Sequence, residues 1–328
     1  MKLRYHGTAP EAHISDQFAG WLEQMMDEDG NIVYLDADLM GSLKTKELWK
    51  RRPDRVFNCG IQEANMVGVA AGLYLAGFNP YIHSFTPFLT RRVYDQLFVS
   101  IAYAGKSIHL IGSDAGIMAT ANGGTHMCFE DVALMRVVPN ACIVDVTDAA
   151  MFHTMLKETK DRNGITYFRT ARRNAPDVYE DGVELHPGKG CILTEGEDAT
   201  VIASGIMVAT ALDAQKLLKK DGISVRVVDP VTIKPLDEEL ILRCARETGA
   251  IVTAENHNII GGLGSAVAEL LSEHMLGPVL RVGVKDCFGQ TGTDDFLRKE
   301  YGLTPENIAE QVKAAISLAK NKKGGQTI

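Results

Sequence analysis

A chain of 328 residues, 45% hydrophobic and 23% charged, has the length for two ordinary domains with a core each. Its 34 basic against 42 acidic side chains leave a net charge of −8, which argues against a nucleic-acid binder held by a basic face. Anionic small substrates stay open, because a local arginine cluster outweighs net charge. The six cysteines are scattered without a Cys-x-x-Cys pair and read as reduced thiols, not as disulfide or zinc ligands. The N-terminus lacks the apolar core of a signal peptide, and no apolar run approaches the ~20 residues of a membrane span, so the expected location is the cytoplasm.

Residues 1–12 read as a loose leader. Ile14, Phe18, Leu22 and Met25/Met26 recur at helical spacing and predict an amphipathic helix over 14–26. Strands are expected at 31–39, 56–59, 81–85, 107–113, 142–146 and 165–170. Helices are expected from Glu63, over 87–103 with proline in its first turn, over 129–137 and over 149–160. This alternation implies a doubly wound, mainly parallel sheet. Ligands of such sheets sit beyond the carboxyl ends of the strands, so loops 36–43, 58–63, 85–91, 113–126 and 170–174 can converge on one edge. The stretch 174–198, rich in Gly, Pro and acids, is expected to be a linker with room for short strands of its own. A second series follows, with strands at 199–204, 224–229, 250–255 and 279–284 and helices at 207–219, 236–247, 262–274 and 305–320. The expected fold class is α/β, two doubly wound domains over 1–173 and 199–328, with the tail KNKKGGQTI frayed.

The stretch 58–88, NCGIQEANMVGVAAGLYLAGFNPYIHSFTPF, places Glu63 at the head of an almost wholly apolar helix that reads as buried. A carboxylate there is expensive without a partner or a task. Taken singly, each candidate has a plain structural reading. Glu63 can complement its helix dipole, Phe85 and Phe88 can be core, and His126 can be a satisfied loop histidine. The arginine pairs 91–92 and 172–173 can be solvated. Their joint occurrence in order, on strand-following loops, shifts those odds.

GIQEANMVGVAAGLYLAG resembles the GIxExxMxxxAAGLAxxG segment of the transketolase family of thiamine diphosphate enzymes. SFTPFLTRRVYDQL resembles the aromatic segment that follows it, and GTHMCFEDVALMRVVPNACIVDVTDA the family's GxTHQxxEDxxxxRxxPNxxVxxPxD run. VIASGIMVATALDA and VTAENHNIIGGLGSAVAE resemble its C-terminal domain, so the likeness covers 12–318.

The resemblance implies a pyrimidine-binding domain followed by a transketolase C-terminal domain. It implies that Glu63 hydrogen-bonds the cofactor's aminopyrimidine and favours the tautomer that deprotonates the thiazolium ring to its ylid. Such a carboxyl must stay protonated, which burial among apolar side chains favours. Phe88 and Phe85 would hold the ring by stacking, with Asp38 a further cofactor contact. On the substrate side it points to Ser42, Arg91, Asp114, Asn122, His126 and Arg172. Arginine suits a phosphate, and His126 can bond a donor oxygen and share its proton as a catalytic group. Arg91 falls where the deoxyxylulose-phosphate synthase branch has an arginine. Three departures stand out. Asn122 begins Asn-Gly-Gly-Thr-His-Met where the family reads Asp-Gly-x-Thr-His-Gln; Asp114 replaces a phosphate-contacting histidine; His13 replaces an arginine. An altered phosphate grip, or an unusual donor, is the expectation.

The family's Gly-Asp-Gly…Asn motif, which holds the diphosphate through Mg2+, is not found in this sequence. The expectation is therefore the C-terminal (β) subunit of a split transketolase, with no metal ligands of its own. It would pair with an N-terminal subunit carrying diphosphate and Mg2+, as an α2β2 assembly, and move a two-carbon ketol unit from a ketose phosphate to an aldose. Alternatives are a transketolase for an unusual sugar phosphate, a deoxyxylulose-phosphate synthase-like enzyme and, further off, a 2-oxo acid dehydrogenase E1 β subunit. GGLGSA at 261–266 lacks the G-x-G-x-x-G spacing of an NAD site, and Glu63 argues against a non-catalytic partner.

Overall fold

The structure, a computed structural model, describes residues 3–7, 10–173 and 175–324. The first half supplies β1 (Ile32–Asp36), β2 (Val56–Asn58), β3 (Asn79–Phe85), β4 (Ile108–Ser113), β5 (Cys142–Asp145) and β6 (Ile165–Thr170). The second supplies β7 (Cys191–Thr194), β8 (Ala199–Ala203), β9 (Val225–Asp229), β10 (Thr232–Lys234), β11 (Ile251–Asn258) and β12 (Val279–Val284). One sheet runs β10-β5-β6-β4-β3-β1-β2 and the other β12-β11-β8-β9-β7. All pairings are parallel except β10 on β5 and β7 on β9. Parallel strands covered by helices on both faces are mostly apolar, and β1, β4, β5, β6, β8 and β9 are buried at every residue, so the polar side chains they carry need partners inside. The α/β class with two doubly wound units is therefore what the chain adopts. Of the tail expected to fray, 325–328 lie outside the described residues, and the part before them continues the helix Pro305–Gly324.

Register aligns the strand ends. Asp36 lies opposite His83 and Asn58, Phe85 opposite Ser113, and Ser113 opposite Thr170. The loops that follow leave from one edge.

Four differences from the sequence expectations bear on function. β10, only three residues long, returns from the second half to close the first sheet, whereas β7, an edge of the second, is a short strand of the kind expected within 174–198. Short helices at Lys46–Arg51 and Asp294–Glu300 were not anticipated by periodicity. The helix expected over 87–103 is broken into one α-helical turn, Thr86–Leu89, a 3-10 turn, Arg91–Val93, and a π-helix, Gln96–Tyr103. Thr90 stands at the break, at φ −118 and ψ −84, and its Oγ1 donates to the Thr86 carbonyl at 2.7 Å, a bond that competes with the backbone ladder. Finally, the helix Glu63–Leu75 is not buried all round. Met66, Val67, Ala70 and Ala71 face the core, whereas Val69 and Leu75 are exposed.

A buried ionic joint ties the two halves. Arg169, 2% exposed at the end of β6, donates Nε to Asp131 at 2.7 Å, Nη1 to Asp145 at 3.2 Å and Nη2 to the Asn256 carbonyl at 2.5 Å. Asp145 also accepts from Ser204 at 2.7 Å, just beyond β8.

Candidate active site

Glu63 begins its helix with its carboxylate 2% exposed. It is not left among apolar side chains, which corrects the expectation from sequence. Ser84 Oγ donates to Oε1 at 3.0 Å and Arg92 Nη1 to Oε2 at 2.8 Å. The break at Thr90 turns Arg92 to this position, and its guanidinium also lies 3.9 Å from the Phe88 ring centroid. Phe85 and Phe88 are half-buried with centroids 6.3 Å apart. His126 meets both edge-on, at 5.1 Å from Phe88 and 5.9 Å from Phe85. Thr125 Oγ1 lies 2.9 Å from His126 Nδ1. Beyond Phe85, the Arg172 guanidinium stands 5.6 Å from that ring and donates Nε to Asp114 at 2.8 Å. Glu63, Phe88, His126, Phe85, Arg172 and Asp114 thus form one continuous surface along the strand ends.

Asp114, Asn122, Arg172 and Arg173 line a cavity of about 230 Å3 with Met118 and Thr120. Burial pushes the Asp114 carboxyl up from the usual range, with Arg172 pulling against it. The other candidates sit differently. Arg91 donates to Glu130 at 2.5 Å and to the Thr125 carbonyl at 3.2 Å, so it braces the loop that carries His126. Asp38 is exposed and accepts from Asn58 at 3.0 Å. Ser42 is buried with a hydroxyl that has no hydrogen-bond partner among the described residues.

Sequence reasoning missed Arg92 and Ser84, the two partners of Glu63. It also missed a buried set in which His83 Nδ1 lies 2.7 Å from Asp36 and Nε2 3.0 Å from Ser113 Oγ. The short strand pattern of β3 signals only that these positions are interior. That two of them are polar was the available clue, since buried polar groups need partners.

The loop after β4, which carries Asp114, Asn122 and His126, is held by the second half of the chain. Asn256 Oδ1 accepts from the Ile117 N–H at 3.0 Å and its Nδ2 donates to the Ala115 carbonyl at 3.1 Å. Gly116 between them has φ +57, and a Cβ there would lie 2.2 Å from Asn256 Oδ1, so glycine is required. Further along, the Gly292 N–H donates to the Thr120 carbonyl at 3.2 Å. Asn256→Ala is expected to destabilise the chain by about 1–3 kcal/mol, because two buried backbone groups lose their partners. Faster hydrogen exchange at amides 115–118, with the rest of the sheet unchanged, checks that the loss is local.

Residues 11–178 match the transketolase pyrimidine-binding domain and 188–308 the transketolase C-terminal domain. The chain is 44% identical over 312 residues to the 6-deoxy-6-sulfo-D-fructose transketolase subunit SqwH of Clostridium sp. (strain MSTE9), covering 95% of this chain and 96% of that one. It is 35% identical over 304 residues to an apulose-4-phosphate transketolase subunit of Phocaeicola vulgatus, covering 92% and 96%. A split-gene transketolase solved as an inactive β4 tetramer superposes with a TM-score of 0.85 at 40% identity, over 94% of this chain and 99% of that one. The chain belongs to the transketolase family.

Proposed function

We propose that this chain is the C-terminal (β) subunit of a two-subunit, thiamine diphosphate-dependent transketolase that moves a two-carbon ketol unit from a ketose to an aldose. The observation that carries the reading is Glu63, a nearly inaccessible carboxylate joined through the Arg92 guanidinium to the ring of Phe88, which with Phe85 and the edge of His126 forms a half-buried aromatic group. These residues fit the pyrimidine end of the cofactor, which needs a carboxyl for a ring nitrogen and apolar faces for the ring. Thiamine diphosphate, when bound, supplies an acidic carbon that adds to a ketose carbonyl and an electron sink for the bond that breaks.

In this reading the half-exposed Arg92 guanidinium gives up Oε2 when the ring enters, Glu63 then holds a proton at the pyrimidine ring nitrogen, and Ser84 on Oε1 fixes the carboxyl's orientation. Phe85 and Phe88 keep water from the ring. His126, with Thr125 on Nδ1, has Nε2 for a donor oxygen and moves the proton of its hydroxyl. Arg172 takes the charged far end of the donor through its planar fork. Asp38 supports the cofactor side through Asn58. The division of labour runs at 174–198, with the site on 1–173 and the unit from 199 onward holding its loop.

The diphosphate and Mg2+ belong, in this proposal, to the partner subunit, whose Gly-Asp-Gly…Asn motif this sequence does not contain. The helix Glu63–Leu75 and the π-helix Gln96–Tyr103 pack together, and Val69, Leu75, Phe98, Val99 and Tyr103 on this pair are exposed. Patches of that kind mark protein interfaces, which supports an N-terminal subunit closing the site in an α2β2 assembly. No helix among the described residues is long and apolar enough to cross a membrane, and the proposed location is the cytoplasm. Val99→Glu is expected to abolish co-elution with the N-terminal subunit in gel filtration while leaving the melting temperature of this chain unchanged. The central test mixes both subunits with thiamine diphosphate and Mg2+ and follows ketol transfer. Activity is expected only in the mixture, and robust turnover by this chain alone would reject the reading.

A further inference from the structure

We propose that the cavity between Asp114 and the Arg172–Arg173 pair selects donors whose far end carries one negative charge, a sulfonate, over donors ending in a phosphate. The inference rests on the transketolase reading above and names the substrate class of that same site.

The charges on the cavity wall set the preference. Two guanidiniums face one carboxylate, and the other lining residues, Met118, Ala119, Thr120, Ala121 and Asn122, are neutral. The balance is a single positive charge. Arg173 is exposed and forms no ion pair among the described residues, so it can meet an incoming anion. Arg172 is already engaged at Nε by Asp114, which leaves its terminal nitrogens as donors. A phosphate ester carries ≈ −1.5 to −2 at neutral pH, whereas a sulfonate carries one charge over three acceptor oxygens. One excess negative charge beside Asp114 is therefore uncompensated in the phosphate case.

Asp114 cannot swing away from that repulsion. It is 4% exposed, so water screens it poorly. Its backbone, at φ +57, follows directly from the buried end of β4, and the next residues are pinned by both polar atoms of the Asn256 side chain. The carboxylate is thus a fixed part of the wall and not a mobile counter-ion. The Arg172 guanidinium also lies against the Phe85 ring, so the cavity continues into the surface where Phe88 and His126 would meet the reacting end of the donor. A ketose can span the two.

The test uses the reconstituted two-subunit complex and two ketohexoses that differ only in the terminal group, sulfonate or phosphate. The wild-type complex is expected to favour the sulfonate by about tenfold or more in kcat/KM, the effect of roughly one poorly screened unit charge. Asp114→Asn, which is isosteric, and Asp114→His should each shrink that ratio by about tenfold, mainly by lowering KM for the phosphate. A wild-type preference for phosphate, equal use of both, or a ratio unmoved in both variants would overturn the proposal. Hydroxypyruvate, which has no far end to anchor, separates the two levels. Wild-type turnover of hydroxypyruvate without sulfonate selectivity rejects only the selectivity, and turnover of none of the three donors rejects the transketolase reading with it.

Discussion

Glu63→Gln in the assembled enzyme is expected to lower kcat by roughly 10²–10⁴-fold, the usual weight of a positioned proton-transfer group. The fold should not notice. Glutamine keeps the shape of the side chain, and its amide oxygen can still accept from Ser84 Oγ, which stands 3.0 Å from Oε1. The Arg92 side chain is 44% exposed and can turn to water once its partner is neutral. Ion pairs of that exposure contribute at most about 1 kcal/mol, so the melting temperature of the isolated chain should move little. Glu63→Ala differs, since it strands a buried Ser84 hydroxyl and mixes a stability loss into the kinetics. The informative comparison is therefore the glutamine variant, assayed for ketol transfer and melted alone. Undiminished kcat would remove Glu63 from the chemistry.

Arg169→Ala is expected to have the largest effect on stability of any single change considered, about 3–5 kcal/mol in urea unfolding of this chain. The cost does not come from losing an attraction alone. Asp131 and Asp145 are 0% and 4% exposed, and removing the guanidinium leaves two buried carboxylates without their cation. Tyr167 and Ser204 still donate to them, at 2.7 Å each, but a hydroxyl cannot replace a charge. The Asn256 carbonyl loses its Nη2 donor at the same time, and Asn256 is the residue that pins the loop after β4. Arg169→Lys should recover little, because one ammonium cannot reproduce a planar fork that reaches Asp131, Asp145 and a carbonyl in three directions. A loss below about 1 kcal/mol for the alanine variant would mean that the joint is better described as neutral packing.

Much of this architecture is legible in the chain itself. Strands buried on both faces favour largely apolar runs, so IVYLD and SIHLIGS announce themselves without any tertiary information. Glu63 stands out because a carboxylate at the head of an apolar segment is costly. Phe85 and Phe88 stand out by their spacing beside it. β10 left no such signal: three residues of an antiparallel edge are too few for a period to show. The interruption at Thr90 was equally silent, since threonine in a helix can bond its own i−4 carbonyl or leave it to the backbone, and local sequence does not choose.

The sequence by itself determined the longer elements, the edge on which their loops meet and the residue types brought there, because hydrophobic periodicity and chemical identity are properties of neighbours along the chain. Tertiary structure alone decided the rest. Of two adjacent arginines, Arg92 reaches Glu63 and Arg91 braces Glu130, because neighbours on a helical turn project to different sides and only the packing decides what each side meets. Likewise Arg172 finds Asp114, and Asn256 grips Gly116's neighbours, only when segments far apart in sequence pack. Such pairings depend on distances through space, and those are set by the sheet register and the ionic joint at Arg169 together.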